Sequence, residues 1–194
     1  LKYYVNGVLQ TSPVIASQEP LQIEGISIPA QGNAVVIYQA ALTQFAPSAT
    51  NSTITNQAVI SGTGISSITV EETISALAEP ILNITKSISP VPVTENGALT
   101  YTFVIENRGN VPADPVDLIV ITDQFNPILS DLTVTFNGTA WAEGTQYTYD
   151  QTTGLFTTKA GEITVPAATF TQNADTGAWS VIPGTSTLVI TGIV

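Results

Sequence analysis

Between residues 99 and 106 apolar and polar side chains change places at almost every step. Leu99, Tyr101, Phe103 and Ile105 fall on one side of an extended chain; Thr100, Thr102 and Glu106 fall on the other, with Val104 the exception. Period two is the mark of a strand with one face buried and one face wet. Similar runs occur at 116–122, 132–136, 146–149, 155–158, 162–165 and 187–194, and earlier at 2–5, 21–23, 33–40, 53–60 and 68–71. Their β-branched residues suit a pleated surface. Between them stand Asn6-Gly7 and Asn137-Gly138, pairs that accept the positive φ of tight hairpins, and the turn-forming stretches 150–154 and 175–177. Only 71–78, with Glu71 and Glu72 at its start, reads as a short helix. Short strands and turns at this spacing predict an all-β antiparallel sandwich. The expected core of its later part is Leu99, Tyr101, Phe103, Ile105, Leu118, Val120 and Leu188.

Composition narrows the chemistry. Hydrophobic residues make up 43% of the 194 and charged residues 10%, so Thr, Ser, Asn, Gln and Gly must wet the surface. Four Lys+Arg against fifteen Asp+Glu give a net charge of −11, which opposes nucleic acid and anionic membranes alike. No apolar stretch is long enough to insert in a membrane as a helix. There is no Cys, His or Met. Disulfides, thiolate metal sites and His-based acid–base catalysis are excluded with them, and we expect no enzyme activity. Starting at Leu1 without a basic and apolar leader, the chain is expected to be a processed or trimmed product.

The chain also repeats itself weakly. Tyr3–Gln10 (YYVNGVLQ) is similar to Val134–Trp141 (VTFNGTAW), and the Ile28-Pro29 strand is similar to that of Ile182-Pro183. We therefore expect two units, 1–79 and 80–194, joined near Glu79-Pro80. The first lacks counterparts of the early strands, and the second stops before any counterpart of 54–62 (ITNQAVISG), so the two look incomplete at opposite ends.

The segment 82–125 carries Lys86 in an entering strand, then Gly97, Thr100-Tyr101-Thr102, Asn107, Gly109 and Thr122-Asp123. With Ile182-Pro183-Gly184 and Thr55-Asn56-Gln57-Ala58, this set resembles a prokaryotic conserved repeat domain of unknown function, found in tandem on bacterial and archaeal surface proteins. The resemblance implies two tandem immunoglobulin-like sandwich units, an extracellular location at a cell surface or surface appendage, and a structural or adhesive role without a reaction.

The leading expectation is a segment of a surface filament, stalk or layer that self-assembles with copies of itself. Strand donation could supply the joint, with Leu1, Lys2, Tyr3 and Tyr4 or Ile190, Ile193 and Val194 as donor ends. A sharper form, known from some pilin sandwiches, is an inter-subunit isopeptide between Lys86 and Asn56, with Glu106 or Asp123 as the promoting acid. The alternative is an adhesive or carbohydrate-binding module for a host or matrix ligand, its aromatic patch formed by Trp141, Tyr147, Tyr149 and Trp179. No cofactor is expected, although calcium could be held by oxygen ligands at Asp114, Asp117, Asp123 and Asp131.

Overall fold

The computed structural model describes residues 1–11 and 13–194. The chain is all-β and divides into two compact units, Leu1–Thr43 and Gln44–Val194, so the expected junction at Glu79-Pro80 falls inside the second.

The first unit contains β1 (Lys2–Val5), β2 (Val8–Leu9), β3 (Val14–Gln18), β4 (Leu21–Glu24) and β5 (Ala34–Ile37). β1 lies between β2 and β5 in one antiparallel sheet, and β3 pairs with β4 in another. Asn6 and Gly7 take the expected positive φ, 50° and 78°, and turn β1 into β2. The Tyr3 side chain is buried, and its hydroxyl donates to Ser27 O (2.9 Å) while accepting from Ser27 N (3.1 Å).

The second unit opens with a long hairpin, β6 (Thr53–Gly62) and β7 (Ile65–Ser75). It continues through β8 (Leu82–Ser89), β9 (Ala98–Asn107), β10 (Thr122–Gln124), β11 (Ser130–Phe136), β12 (Thr139–Trp141), β13 (Tyr147–Asp150), β14 (Leu155–Thr158), β15 (Thr169–Gln172), β16 (Trp179–Ile182) and β17 (Gly184–Ile193). Five strands form one sheet in the order β12-β11-β17-β9-β8, and three form another in the order β10-β14-β13. A single core joins them. The first sheet contributes Leu99, Tyr101, Phe103, Ile105, Val134, Phe136, Leu188 and Ile190; the second contributes Tyr147, Tyr149 and Phe156. Phe125, just beyond β10, stacks on Tyr101 with centroids 4.7 Å apart and meets Tyr149 and Phe156 at 5.9 Å each.

The motif residues singled out in the sequence have local physical roles. Asn107 is fully buried, yet all its polar atoms are used: Oδ1 accepts from Ile81 N (2.9 Å) and Gly109 N (2.8 Å), and Nδ2 donates to Val111 O (2.8 Å). One side chain thus pins the entry to β8 against the exit from β9. At Gly109 a Cβ would lie 2.1 Å from Glu79 O, so only glycine lets these two segments pass.

Three sequence expectations are corrected. The segment 71–78 is not a helix, because Glu71–Ser75 continue β7 in register with Thr53–Gln57, where Thr73 and Ile74 suit a strand. The run 116–122 is not a continuous strand. Asp117 accepts from the Asp114 backbone N–H to form a single 3-10 turn at Pro115–Asp117, and Leu118 takes a φ of 51°. That turn reverses the alternation, so Ile119 and Ile121 reach the core while Leu118 and Val120 are exposed. The run 162–165 forms only an isolated bridge, Val165 with Ala113. β15 and β16, by contrast, form a hairpin around the expected turn at 175–177, where Asn173 Oδ1 accepts from Asp175 N and Thr176 N.

Phe156 is wholly buried at the meeting of both sheets. Phe156→Ala is expected to cost about 3–5 kcal/mol. Asn107→Ala, which orphans two N–H groups and a carbonyl, is expected to cost about 3 kcal/mol. Urea denaturation followed by tryptophan fluorescence checks both.

Candidate functional site

The feature that stands apart is the side of the second unit where five strands face three. In the β8–β9 register, Leu82, Ile84, Lys86 and Ile88 lie opposite Asn107, Ile105, Phe103 and Tyr101. Directly paired residues share a face of the sheet, and these four β9 residues are buried. β8 therefore alternates apolar residues onto the core face and Asn83, Thr85, Ser87 and Ser89 onto the other, the pattern of a half-buried strand. Yet every residue of β8 is exposed, with Leu82, Ile84 and Ile88 at 38%, 49% and 44%. Among the described residues, no second layer covers Leu82, Ile84 and Ile88 on the core face of β8.

Two strand edges flank this opening. Among the described residues, β8 pairs only with β9 and β10 only with β14, so each has an unused edge. Lys86 bridges the two layers. Its ammonium is ion-paired with Asp123 on β10 and lies 4.5 Å from the Tyr101 ring centroid, 5.5 Å from that of Phe103 and 5.8 Å from that of Phe125. A cation over three aromatic faces, held by a carboxylate, is a fixed charge in an otherwise apolar opening.

The isopeptide group expected from the sequence is brought together in part. Asp123 is beside Lys86, whereas Glu106 instead faces Arg108 at 3.5 Å. Asn56 lies on β6, paired with Glu72 of β7.

The expected donor ends are already engaged. β1 is paired on both edges, and β17, which carries Ile190 and Ile193, is the central strand of the five-stranded sheet. Val194 N donates to Gly97 O at 3.1 Å. A strand with both edges filled has no ladder left to offer.

The four rings expected to form a patch do not share a surface. Tyr147 (4% exposed) and Tyr149 (8%) are core residues, and the Tyr149 hydroxyl is tied to the Leu129 backbone at 2.9 and 3.0 Å. Trp141 stacks on Phe136 at 4.9 Å and is partly buried against the core; Trp179 is half-buried on β16. The acids considered for calcium are also apart: Asp117 caps Asp114, Asp123 holds Lys86, and Asp131 sits on β11 with positive φ. Among the described residues, no three carboxylates gather in a cation-sized group, and no helix is long and apolar enough to cross a membrane.

Comparison with family models, curated proteins and solved structures finds no match.

Burial holds the Tyr101 phenol above its usual value of 10.0, reinforced by repulsion from Asp123 and from Tyr149. Tyr147 is raised by burial and by Glu143. In the folded state both stay protonated where the unfolded chain ionises. Their contribution to stability is thus complete below about pH 10 and is lost as pH climbs through the raised folded values. Phenolate absorbance titration is expected to show these two rings ionising above about pH 10, with the denaturation midpoint falling over the same range.

Proposed function

We propose that this chain is a non-enzymatic structural subunit of an extracellular surface filament, stalk or layer, built from immunoglobulin-like sandwich units that neighbouring copies complete. The observation that carries the reading is β8: a strand with the alternation of a buried element and no layer over its core face. Left to water, that face is a sticky surface beside two open edges. Filled by strands of another copy, it becomes an ordinary interior, with backbone ladders giving strength and alternate side chains giving register. The net charge of −11 supports the same reading, because repulsion between copies discourages contacts other than the specific one. The resemblance to surface-protein repeats agrees with it.

The placement of Lys86 beside Asp123 also supports a covalent form of the joint. Lys86 Nζ, deprotonated by the acid, would attack the carboxamide carbon of Asn56 from a second copy. An amide bond forms, the C–N bond of the carboxamide breaks, and ammonia leaves with the proton. Intact-mass measurement of assembled material is expected to show the loss of one ammonia per joint, and the joints are expected to survive boiling in detergent. Unchanged mass and full release of monomers would exclude the bond.

Electron microscopy of the concentrated chain tests the assembly itself. Ordered fibres or sheets with a repeat set by one chain are expected. Dispersed single particles at every concentration would overturn the reading.

A further inference from the structure

The β6–β7 hairpin has no layer of its own. Its strands pair with each other over Thr53–Ser75, and every residue of both except Ile54 is exposed. Two-stranded ribbons are marginal in water without something to pack on. The ribbon is nevertheless held firmly at its base. Asn110 Nδ2 donates to Ser48 O (3.1 Å) and Leu77 O (2.8 Å), its Oδ1 accepts from Glu79 N (3.2 Å), and Ala76 N donates to Ser52 O (2.9 Å). One side chain from the β9 exit thus grips both ends of the excursion.

The register sorts the ribbon into two unlike faces. Ile54, Asn56, Ala58 and Ile60 pair with Ile74, Glu72, Val70 and Ile68 and share one face. Thr53, Thr55, Gln57 and Val59 pair with Ser75, Thr73, Glu71 and Thr69 on the other. The first face is apolar except for Asn56 and Glu72, the second of its four pairs counted from the base.

We propose that the occupant of the open side of the second unit is the β6–β7 ribbon of a second copy, seated on the free edge of β10 with its apolar face over β8. This rests on the reading of the chain as a self-assembling subunit, and names the part that makes the joint. Three features select it. The three-stranded layer is two strands shorter than the layer it faces, and the ribbon supplies two. Addition at the β10 edge lays new strands over Leu82, Ile84 and Ile88, whereas addition at the β8 edge would lengthen the larger sheet and leave them bare. Charge complementarity sets the register: burying Glu72 within an apolar face requires a cation, and Lys86 stands between Ile84 and Ile88 on the core face of β8. Before any bond to Asn56 forms, the Lys86 ammonium has three donors, enough for Asp123 and Glu72 together, and Asn56 is the cross-strand neighbour of that Glu72. The donor strands, ten and eleven residues long, span the eight of β8. Each chain carries one ribbon and one opening on the same unit. The contact joins two different surfaces, ribbon and opening, and it propagates into a filament where the rotation between copies does not close.

The test uses the full chain. Val70→Asp places a charge on the apolar face of an exposed ribbon, and Thr73→Asp places the same charge on the polar face. By light scattering, Val70→Asp is expected to raise the concentration needed for half assembly about tenfold or more, and Thr73→Asp to leave it near that of the parent. Because the chain has no Cys, a mixture of Ala58→Cys and Ile88→Cys chains treated with a short bismaleimide is expected to give a heterodimer. A Thr55→Cys partner is expected to give none. Assembly with normal Val70→Asp behaviour and no heterodimer would overturn the ribbon as occupant while leaving self-assembly standing. A parent chain that stays monomeric at all concentrations would overturn both.

Discussion

The second unit depends on one requirement: the side chains that alternate onto the inner face of each strand must be covered by a second layer. Around Tyr101, Phe125, Phe156, Leu188 and Ile190 the requirement is met, and these residues are almost wholly removed from water. The Tyr101–Phe125 stack closes the interior where β9 comes opposite the end of β10. One strand further out, at β8, the same alternation continues and the cover stops. Everything distinctive about the molecule follows from that change.

An uncovered inner face is different from a scatter of exposed apolar residues. Leu82, Ile84 and Ile88 lie in line along one strand, next to a buried row on β9, with unpaired backbone at both flanking edges. Such an arrangement specifies what would fill it: extended chain, apolar at alternate positions, with a negative or hydrogen-bonding group opposite Lys86. The ribbon presents those properties, and Asn107 and Asn110 tie both elements to the same short connection. Opening and ribbon are therefore set by one piece of backbone. On the proposed reading, such a chain would extend by repetition of that one contact.

Much of the strand content was legible beforehand because alternation and turn chemistry are local. The Asn6-Gly7 and Asn137-Gly138 turns, the inward row of β9, and the hairpins around 150–154 and 175–177 follow from two to ten residues each. The expectations that failed were those where a neighbour overrides the local pattern. Pro115 with the Asp114–Asp117 contact inserts a turn and reverses the phase of Leu118 through Ile121. Glu71–Ser75, helix-like in isolation, is held extended by pairing with Thr53–Gln57. Of the candidate site, Lys86 and Asp123 were found by their place in a motif, and their contact is real in the fold. Glu106 was equally plausible by sequence, but one residue's difference in pleat sends it to the other face, toward Arg108.

The sequence alone determined that the chain is β, that its turns fall where Asn-Gly pairs allow positive φ, and that catalysis by His or Cys is out of reach, because each of these is a property of residue type and short-range sterics. Only the tertiary structure decided which inward-facing residues are covered. Tyr147 and Tyr149 pass from a possible surface patch into the core, the terminal strands become central and paired, and β8, whose pattern demands burial, is left open. Coverage is a relation between strands far apart in the chain, and no local pattern states how many strands the opposite layer will have.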